Sequence, residues 1–501
     1  MKALTACLLL AVAAHAAPIV PKDGMVIRRS VTLKPGVYAL PHGLVIGANA
    51  VTLDGNGATL VGAGKGQAVL AVKRTGVTVR NLRIQSYRWG IRMDGAVNPV
   101  IEGCRVRDTA EERPDDVWLD IWAGPKDAYG AAVILLNATG GVVQNNDIQH
   151  QQNGVSLYNC RRVNVEGNNA SFQSGWGIHL NGSSDCLIEG NLADWCNRIH
   201  KRGPREYYPG ADAAGLLMVA NCNRNTIRRN YFRGGGDGVF VAGFHPTLGK
   251  VPCDDNLFED NDGSLSPNNA FECTFCHRNT FRNNRANTSN YGFWLGYSTD
   301  TTVTANEMRR NRVAGVAIEH GLRNVISKNR FIANTRGTAL WSRADAGFLE
   351  AFKDQAASAS NSVTENTFTA NGAGLLIRRD GEAPTASPHD DSITGNTFVG
   401  NQIGALLIGA ATETLSGNLF QNNSTAAIRL EGGRAVAATG NAFVGNPVWA
   451  DAPAAWAGNY WKDAKPEGPD PGTDASPLAA PPMPAVAEPF TQLDNLRATP
   501  R

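Results

Sequence analysis

The sequence predicts an all-β solenoid, and three observations predict it: a repeat of short period, strict apolar alternation inside each repeat, and asparagine and glycine at fixed places in the period. The asparagine recurs at Asn146, Asn168, Asn191, Asn230, Asn261, Asn284, Asn306, Asn329, Asn366, Asn396, Asn418 and Asn441. Seven of the eleven steps between these positions are 22 or 23 residues, and the other four are the same step with a loop inserted. About eight residues after the asparagine comes a glycine and an alternating run, as in Gly177-Ile178-His179-Leu180 and Gly292-Phe293-Trp294-Leu295. Alternation of this kind marks short strands, and helical spacing is absent. A helical solenoid needs about 33 or more residues per unit, whereas 22 to 23 suits three strands and three turns. A leucine-rich repeat of similar period would place Leu at the recurring positions. The expected fold is therefore a single-stranded right-handed parallel β-helix of roughly 14–16 coils with inserted loops.

The elements follow in order. Val31–Tyr38, Leu44–Ile46, Val51–Gly57, Val77–Leu82 and Ile101–Cys104 read as the first coils. From Asn146 onward the asparagines should lie above one another at the strand spacing of about 4.8 Å and hydrogen-bond along a ladder. Phe331, Phe368, Phe398, Phe420 and Phe443 each lie two residues after a ladder asparagine and should stack inside. A second asparagine set follows five residues after the first, at Asn311, Asn334, Asn371, Asn401, Asn423 and Asn446.

Composition limits the function. Lys+Arg number 47 against 45 Asp+Glu, a net charge of +2, and 42% of residues are hydrophobic. That balance argues against a nucleic-acid binder and against a disordered chain. Met1-Lys2, the apolar run Leu4 to Ala14 and the small residues Ala14-His15-Ala16-Ala17 describe an export signal over residues 1–17. A membrane anchor would need about twenty apolar residues, and Pro18 and Pro21 end this run. The β-helix is expected over 25–463, followed by a Pro/Ala-rich flexible tail over 464–501.

The opening coils, 31–57, resemble those of secreted β-helix proteins with carbohydrate-binding and sugar-hydrolase repeats (the CASH type). Gly458-Asn459-Tyr460-Trp461-Lys462-Asp463 resembles the closing motif of the NosD-type periplasmic copper-maturation proteins. The resemblance covers about 30 to 463. It implies fold more than function, because this scaffold carries lyases, hydrolases, epimerases and non-enzymes.

Eight cysteines remain after Cys7. Cys160, Cys222, Cys253 and Cys276 each lie eight residues before a ladder asparagine and so share one column. Neighbours about 4.8 Å apart fall within disulfide range, so a bridge involving Cys253 is an expectation, with a buried thiol stack as its alternative.

A parallel β-helix takes elongated ligands along an outer face walled by loops. The longest coil extensions are about 108–129, 197–212, 243–252, 343–360 and 379–389, and two of them nominate the middle of the rod. Strand parity turns the second and fourth residues after the recurring glycine outward. This face then gathers Trp176, His179, Asp237, Phe240, Asn268, Asn269, Glu272, Tyr291, Trp294, Glu319, His320 and Trp341. Aromatic faces beside carboxylates and amides are what sugars need. Asp237 and Glu272 are the first acid/base candidates, Glu319 and His320 the next; the others are expected to bind substrate. One coil and three residues separate Asp237 from Glu272, placing their backbones roughly 11 Å apart. That suits an inverting glycosidase, with carboxyls roughly 6.5–9.5 Å apart, better than a retaining one at about 5 Å.

A lyase or epimerase would need a base and a cation, and the loops offer His200, Lys201, Arg202, Arg205, Tyr207, Tyr208, His245 and Lys250. Ser387-Pro388-His389-Asp390 resembles the Asp-Pro-His-Asp of mannuronan epimerases, but Ser387 stands in place of the first Asp. Six Met and scattered His argue against copper binding. The expectation is a secreted or periplasmic glycoside hydrolase, with a polysaccharide lyase or epimerase next and a non-catalytic NosD-type protein as the competing class. It should act on a polysaccharide or oligosaccharide as a monomer, with no nucleic acid, membrane span, metal site or cofactor, calcium being left open.

Overall fold

The coils stack into a rod with three faces: two carry a short strand from nearly every coil, and the third carries strands near both ends with single bridges between them. The computed structural model describes residues 17–482 except 114, 116, 382–385, 452–453 and 470. Nearly all of the export-signal segment, and the tail beyond 482, lie outside the described residues. The front sheet has 18 parallel strands, from Met25–Ile27 to Pro466–Glu467. The second has 17, and the third comes in blocks of 4 and 7. The chain is a right-handed parallel β-helix. Its 18 front strands exceed the 14–16 coils counted from the repeat, because the terminal strands, two or three residues long, carry no ladder asparagine.

Register is exact in the centre of the rod: Asn269 lies opposite Tyr291, and Glu272 opposite Trp294. The recurring glycine is explained by crowding: a Cβ on Gly238 would meet the Ala270 carbonyl oxygen at 2.5 Å, and one on Gly292 that of Gly315 at 2.4 Å. The asparagine ladder forms as expected. Asn306 Nδ2 donates to Asn329 Oδ1 at 3.1 Å and to the Phe281 carbonyl at 3.0 Å, while its N–H donates to the same Asn329 oxygen at 2.9 Å. No buried amide group of the ladder is left without a partner here, which is what makes a column of buried polar side chains tolerable. The Phe column stacks at 4.6, 4.6 and 4.7 Å from Phe331 through Phe420, with the rings within 6° of parallel.

A further interior column, Asn225, Asn256, Asn279, Asn324 and Asn361, ends on two acids, Asp391 and Glu413. Burial pushes these carboxyls up to about 7 and about 9, and Asp391 Oδ2 and Glu413 Oε1 have no hydrogen-bond partner.

All eight described cysteines are buried and free, so the expected bridge at Cys253 is not formed. The shared column is correct, but the neighbouring thiols of Cys222, Cys253 and Cys276 meet as hydrogen-bonding groups and stay reduced. The N–H of Cys222 donates to Cys253 Sγ and that of Cys253 to Cys276 Sγ, both at 3.3 Å.

The described part of 464–482 folds back on the last coil. Pro466–Glu467 pairs with Val448–Ala450. Asp474 accepts from the N–H and Nδ2 of Asn459, at 2.9 and 3.1 Å, taking the place of the next ladder asparagine.

Candidate functional site

The front face is not uniform. Between residues 131 and 242 its outward side chains are roofed by the segment 110–130 and by the hairpin Ile199–Gly203/Glu206–Pro209 that follows it in space. Leu119, Ile121 and Trp122 of the roof pack on Trp176, Leu217, Val219 and Phe240. Trp176 is fully buried, and its Nε1 donates to the Asp212 carbonyl at 2.7 Å. His179 is also fully buried, against Trp176 and Tyr158, with neither ring nitrogen hydrogen-bonded, and burial lowers it to about 3. The three residues Trp176, His179 and Phe240 were expected to bind substrate. They are packing residues instead, because an inserted loop covers the outward positions that parity assigned to solvent.

The acid pair lies where the roof ends. Asp237 begins the strand Asp237–Ala242 and Glu272 sits on the next, Asn269–Thr274. One residue links them: the Asn269 N–H donates to Asp237 Oδ1 at 2.8 Å, and its Nδ2 donates to Glu272 Oε2 at 2.6 Å. Burial pushes Asp237 up to about 7, although N–H donors from Asn269 and Asn268 oppose the shift. Glu272 is driven well above the usual carboxylate range, first by burial, then by the nearby charges of Asp237 and Asp212. Asp212, itself raised by burial, accepts from Trp118 Nε1 at 2.5 Å. Tyr208 faces the three carboxyls, whose charges add to the effect of burial in raising its phenol. Arg202 lies 4.8 Å over the Trp118 ring and 4.5 Å over that of Tyr208. Of these wall residues, Asp212 and Trp118 were not foreseen. Their loops carry no periodicity, so nothing in the spacing says where they fold back.

Past Glu272 the face opens. Tyr291, Trp294 and Trp341 are half-buried, with ring centroids 4.9 Å (Tyr291–Trp294) and 5.5 Å (Trp294–Trp341) apart. Between Tyr291 and Trp341 small side chains, Ala314, Ala317 and Ala339, leave an open pocket that Leu376, Arg336 and Arg378 complete. Asn268 stands at the edge beside Asp237, its carbonyl accepting from the N–H groups of Asn290 and Tyr291. Along one side runs an aromatic wall of Phe244, Phe275, Tyr297, Phe348 and Phe352, built partly by the helix Ala346–Ala351.

Two further acid/base candidates are corrected by their surroundings. Glu319 is buried beside Trp341 and tied to Arg343 Nε at 2.6 Å, so its carboxylate is committed to an ion pair. His320 is buried beneath the 343–358 segment, with Nδ1 and Nε2 each 2.9 Å from a main-chain carbonyl, of Gln355 and Arg343. Its ring stacks on Tyr297 and does not face the groove. His389 and Asp390 bond each other, with His389 bridging in the stack that runs through Ala359 and Ala411, away from the front face.

The family described as periplasmic copper-binding protein (NosD) matches residues 236–468, and the family described as right handed beta helix region matches 42–198 and 126–265. No curated protein matches. Among solved structures, the chain is similar to the A-module of the mannuronan C-5 epimerase AlgE6 of Azotobacter vinelandii at 13% identity, over 78% of this chain and 90% of that one, with a TM-score of 0.39. It is similar to a double mutant of the periplasmic alginate epimerase AlgG at 12% identity, over 74% and 84%, with a TM-score of 0.42. It is also similar to a DFA-IIIase from Arthrobacter chlorophenolicus A6 at 13% identity, over 71% and 89%, with a TM-score of 0.34.

Proposed function

We propose, from the chain's membership of the right-handed parallel β-helix repeat proteins and from its acid pair, that it is an exported enzyme cleaving glycosidic bonds of a polysaccharide or oligosaccharide. The observation that carries the reading is the Asp237–Asn269–Glu272 bridge beside an open aromatic groove. Two carboxyls held apart by one residue, with environments that push their titrations apart, divide into an acid and a base. Glu272, whose carboxyl burial drives well above the usual carboxylate range, is the acid of the pair and delivers its proton to the glycosidic oxygen as the bond to the anomeric carbon breaks. Asp237, favoured as the anion by the Asn269 N–H, takes a proton from the attacking water. Asn269 holds the two carboxyls apart by bonding one with its N–H and the other with its side-chain amide, a spacing that favours inversion over a retaining pair in direct reach of each other. Tyr291, Trp294 and Trp341 stack the neighbouring sugars.

The test is incubation with a panel of polysaccharides, reading both reducing ends and the absorbance of unsaturated uronates. New reducing ends without that absorbance are expected. Glu272→Gln and Asp237→Asn should each lower turnover by roughly 10²- to 10⁴-fold, and full turnover in both variants would overturn the assignment. Absorbance rising with the reducing ends would replace hydrolysis by elimination at the same groove.

A second reading, a non-catalytic maturation protein, is favoured by the NosD match across the site. The donor set does not fit copper. Among the described residues no group of three or more His, Cys, Asp or Glu is placed to hold a metal ion, and the thiol column is buried against main chain. Binding of sugar with no cleavage of any panel member would favour this second reading.

A further inference from the structure

The pocket beyond the acid pair holds a charge that the cleavage reading does not use. Its floor is Ala314, Ala317 and Ala339, and two of its walls are Tyr291 and Trp341. Arg336 lines it, and its guanidinium has no hydrogen-bond or ion-pair partner among the described residues; its charge is felt by the Tyr291 phenol. The contrast with neighbouring arginines is direct. Arg343 is tied to Glu319 and Asp345, and Arg378, on the opposite wall, is tied to Asp380.

An unpaired guanidinium over an apolar, aromatic-walled hollow matches a ring with one apolar face and one anionic substituent. Arginine also binds planar anions through two parallel N–H donors. A neutral sugar would leave that cation unanswered in a partly desolvated place. The position relative to the acids is fixed by the stack. Arg336 follows Asn269, Tyr291 and Ala314 in one outward column, so it stands three strands from the Glu272 level, about 14 Å along the rod. That distance separates it from the reacting bond.

We propose that this pocket is a flanking subsite for an anionic sugar residue, read by Arg336. The proposal rests on the reading of the groove as a saccharide site, but not on cleavage. The shared chemistry is an acidic pyranose, and its anion could be a uronate carboxylate or a sulfate ester.

The test is calorimetric titration of the full chain carrying Glu272→Gln, so that affinity is read without turnover. The probes are an oligogalacturonate, the size-matched neutral oligogalactoside and the same oligogalactoside sulfated. The oligogalacturonate should bind at least tenfold tighter than the neutral chain. Adding Arg336→Gln should remove roughly 10- to 100-fold of its affinity and leave the neutral chain unchanged, whereas Arg336→Lys should keep part of it. A preference for the sulfated chain that is lost with Arg336→Gln supports the same subsite with sulfate as the anion. Equal binding of neutral and anionic chains, unchanged affinity in Arg336→Gln, or no binding of either anion would overturn the proposal. Cleavage of a neutral polysaccharide in the reducing-end assay, with no anionic preference in titration, would sink the subsite and leave the cleavage reading standing.

Discussion

Two stretches of the same face behave in opposite ways. From residue 131 to Asp237 the outward side chains are buried under inserted segments; from Tyr291 to Trp341 half-buried aromatics stand over an alanine floor in an open pocket. Both stretches obey the same parity and the same register. What differs is whether an insertion lies on top, and 110–130 and 197–212 both fold over the earlier stretch. Outward is therefore a statement about the sheet and exposed a statement about the whole chain. The acid pair marks the boundary between them, Asp237 buried under the edge of the roof and Glu272 half-buried beside Trp294.

The largest effect that sharpens this contrast is on stability. Trp176→Ala should destabilise the fold by about 3–5 kcal/mol, as removal of a fully buried indole does, measured by denaturant unfolding. A loss below about 1 kcal/mol would mean that the roof is not packed as described. Next is the ladder that underlies both stretches. Asn306→Ala leaves donors and acceptors of two coils without partners and should cost about 1–3 kcal/mol. The same substitution at the half-buried Asn268, at the groove edge, should cost less.

A pH series separates interior acids from groove acids. Asp391 and Glu413 titrate at about 7 and about 9 in the fold but near 4 when unfolded. Both are raised, so the stability they contribute is complete below that ordinary range and is lost as pH rises through about 7 and then about 9. Denaturant unfolding at pH 6 and pH 9 should show the loss, and Glu413→Gln should remove most of it. Turnover should follow the other pair: it should fall as pH drops below about 7, when Asp237 takes up its proton. Equal stability of the wild type and Glu413→Gln at pH 9 would contradict the interior assignment.

The smallest stability effect is expected on the open stretch. Trp294→Ala should change unfolding free energy by less than about 1 kcal/mol, since the ring is only half-buried, yet weaken saccharide binding by roughly tenfold. A large destabilisation with unchanged binding would reverse the assignment of the two stretches.

The reach of the sequence follows from what repeats. Stacking makes residues 22 or 23 apart neighbours, so the rod, the ladder, the Phe column and the pairing of Glu272 with Trp294 were legible from spacing alone. Trp176, His179, Phe240 and His320 were misjudged because the segments that bury them, 110–130 and 343–358, are single insertions without a period. The same reason hid Asp212 and Trp118, which insertions bring to the acid pair. The thiol column was placed correctly, but register fixes the position of a Cα and leaves the choice of rotamer, and the rotamers send sulfur to main-chain N–H.

The most direct test is a crystal structure of Glu272→Gln with a bound oligosaccharide. The account predicts sugar density running from the Asp237–Glu272 boundary toward Trp341, with one ring in the alanine-floored pocket beside Arg336. Density lying across residues 131–217, or on either of the other two faces of the rod, would contradict it.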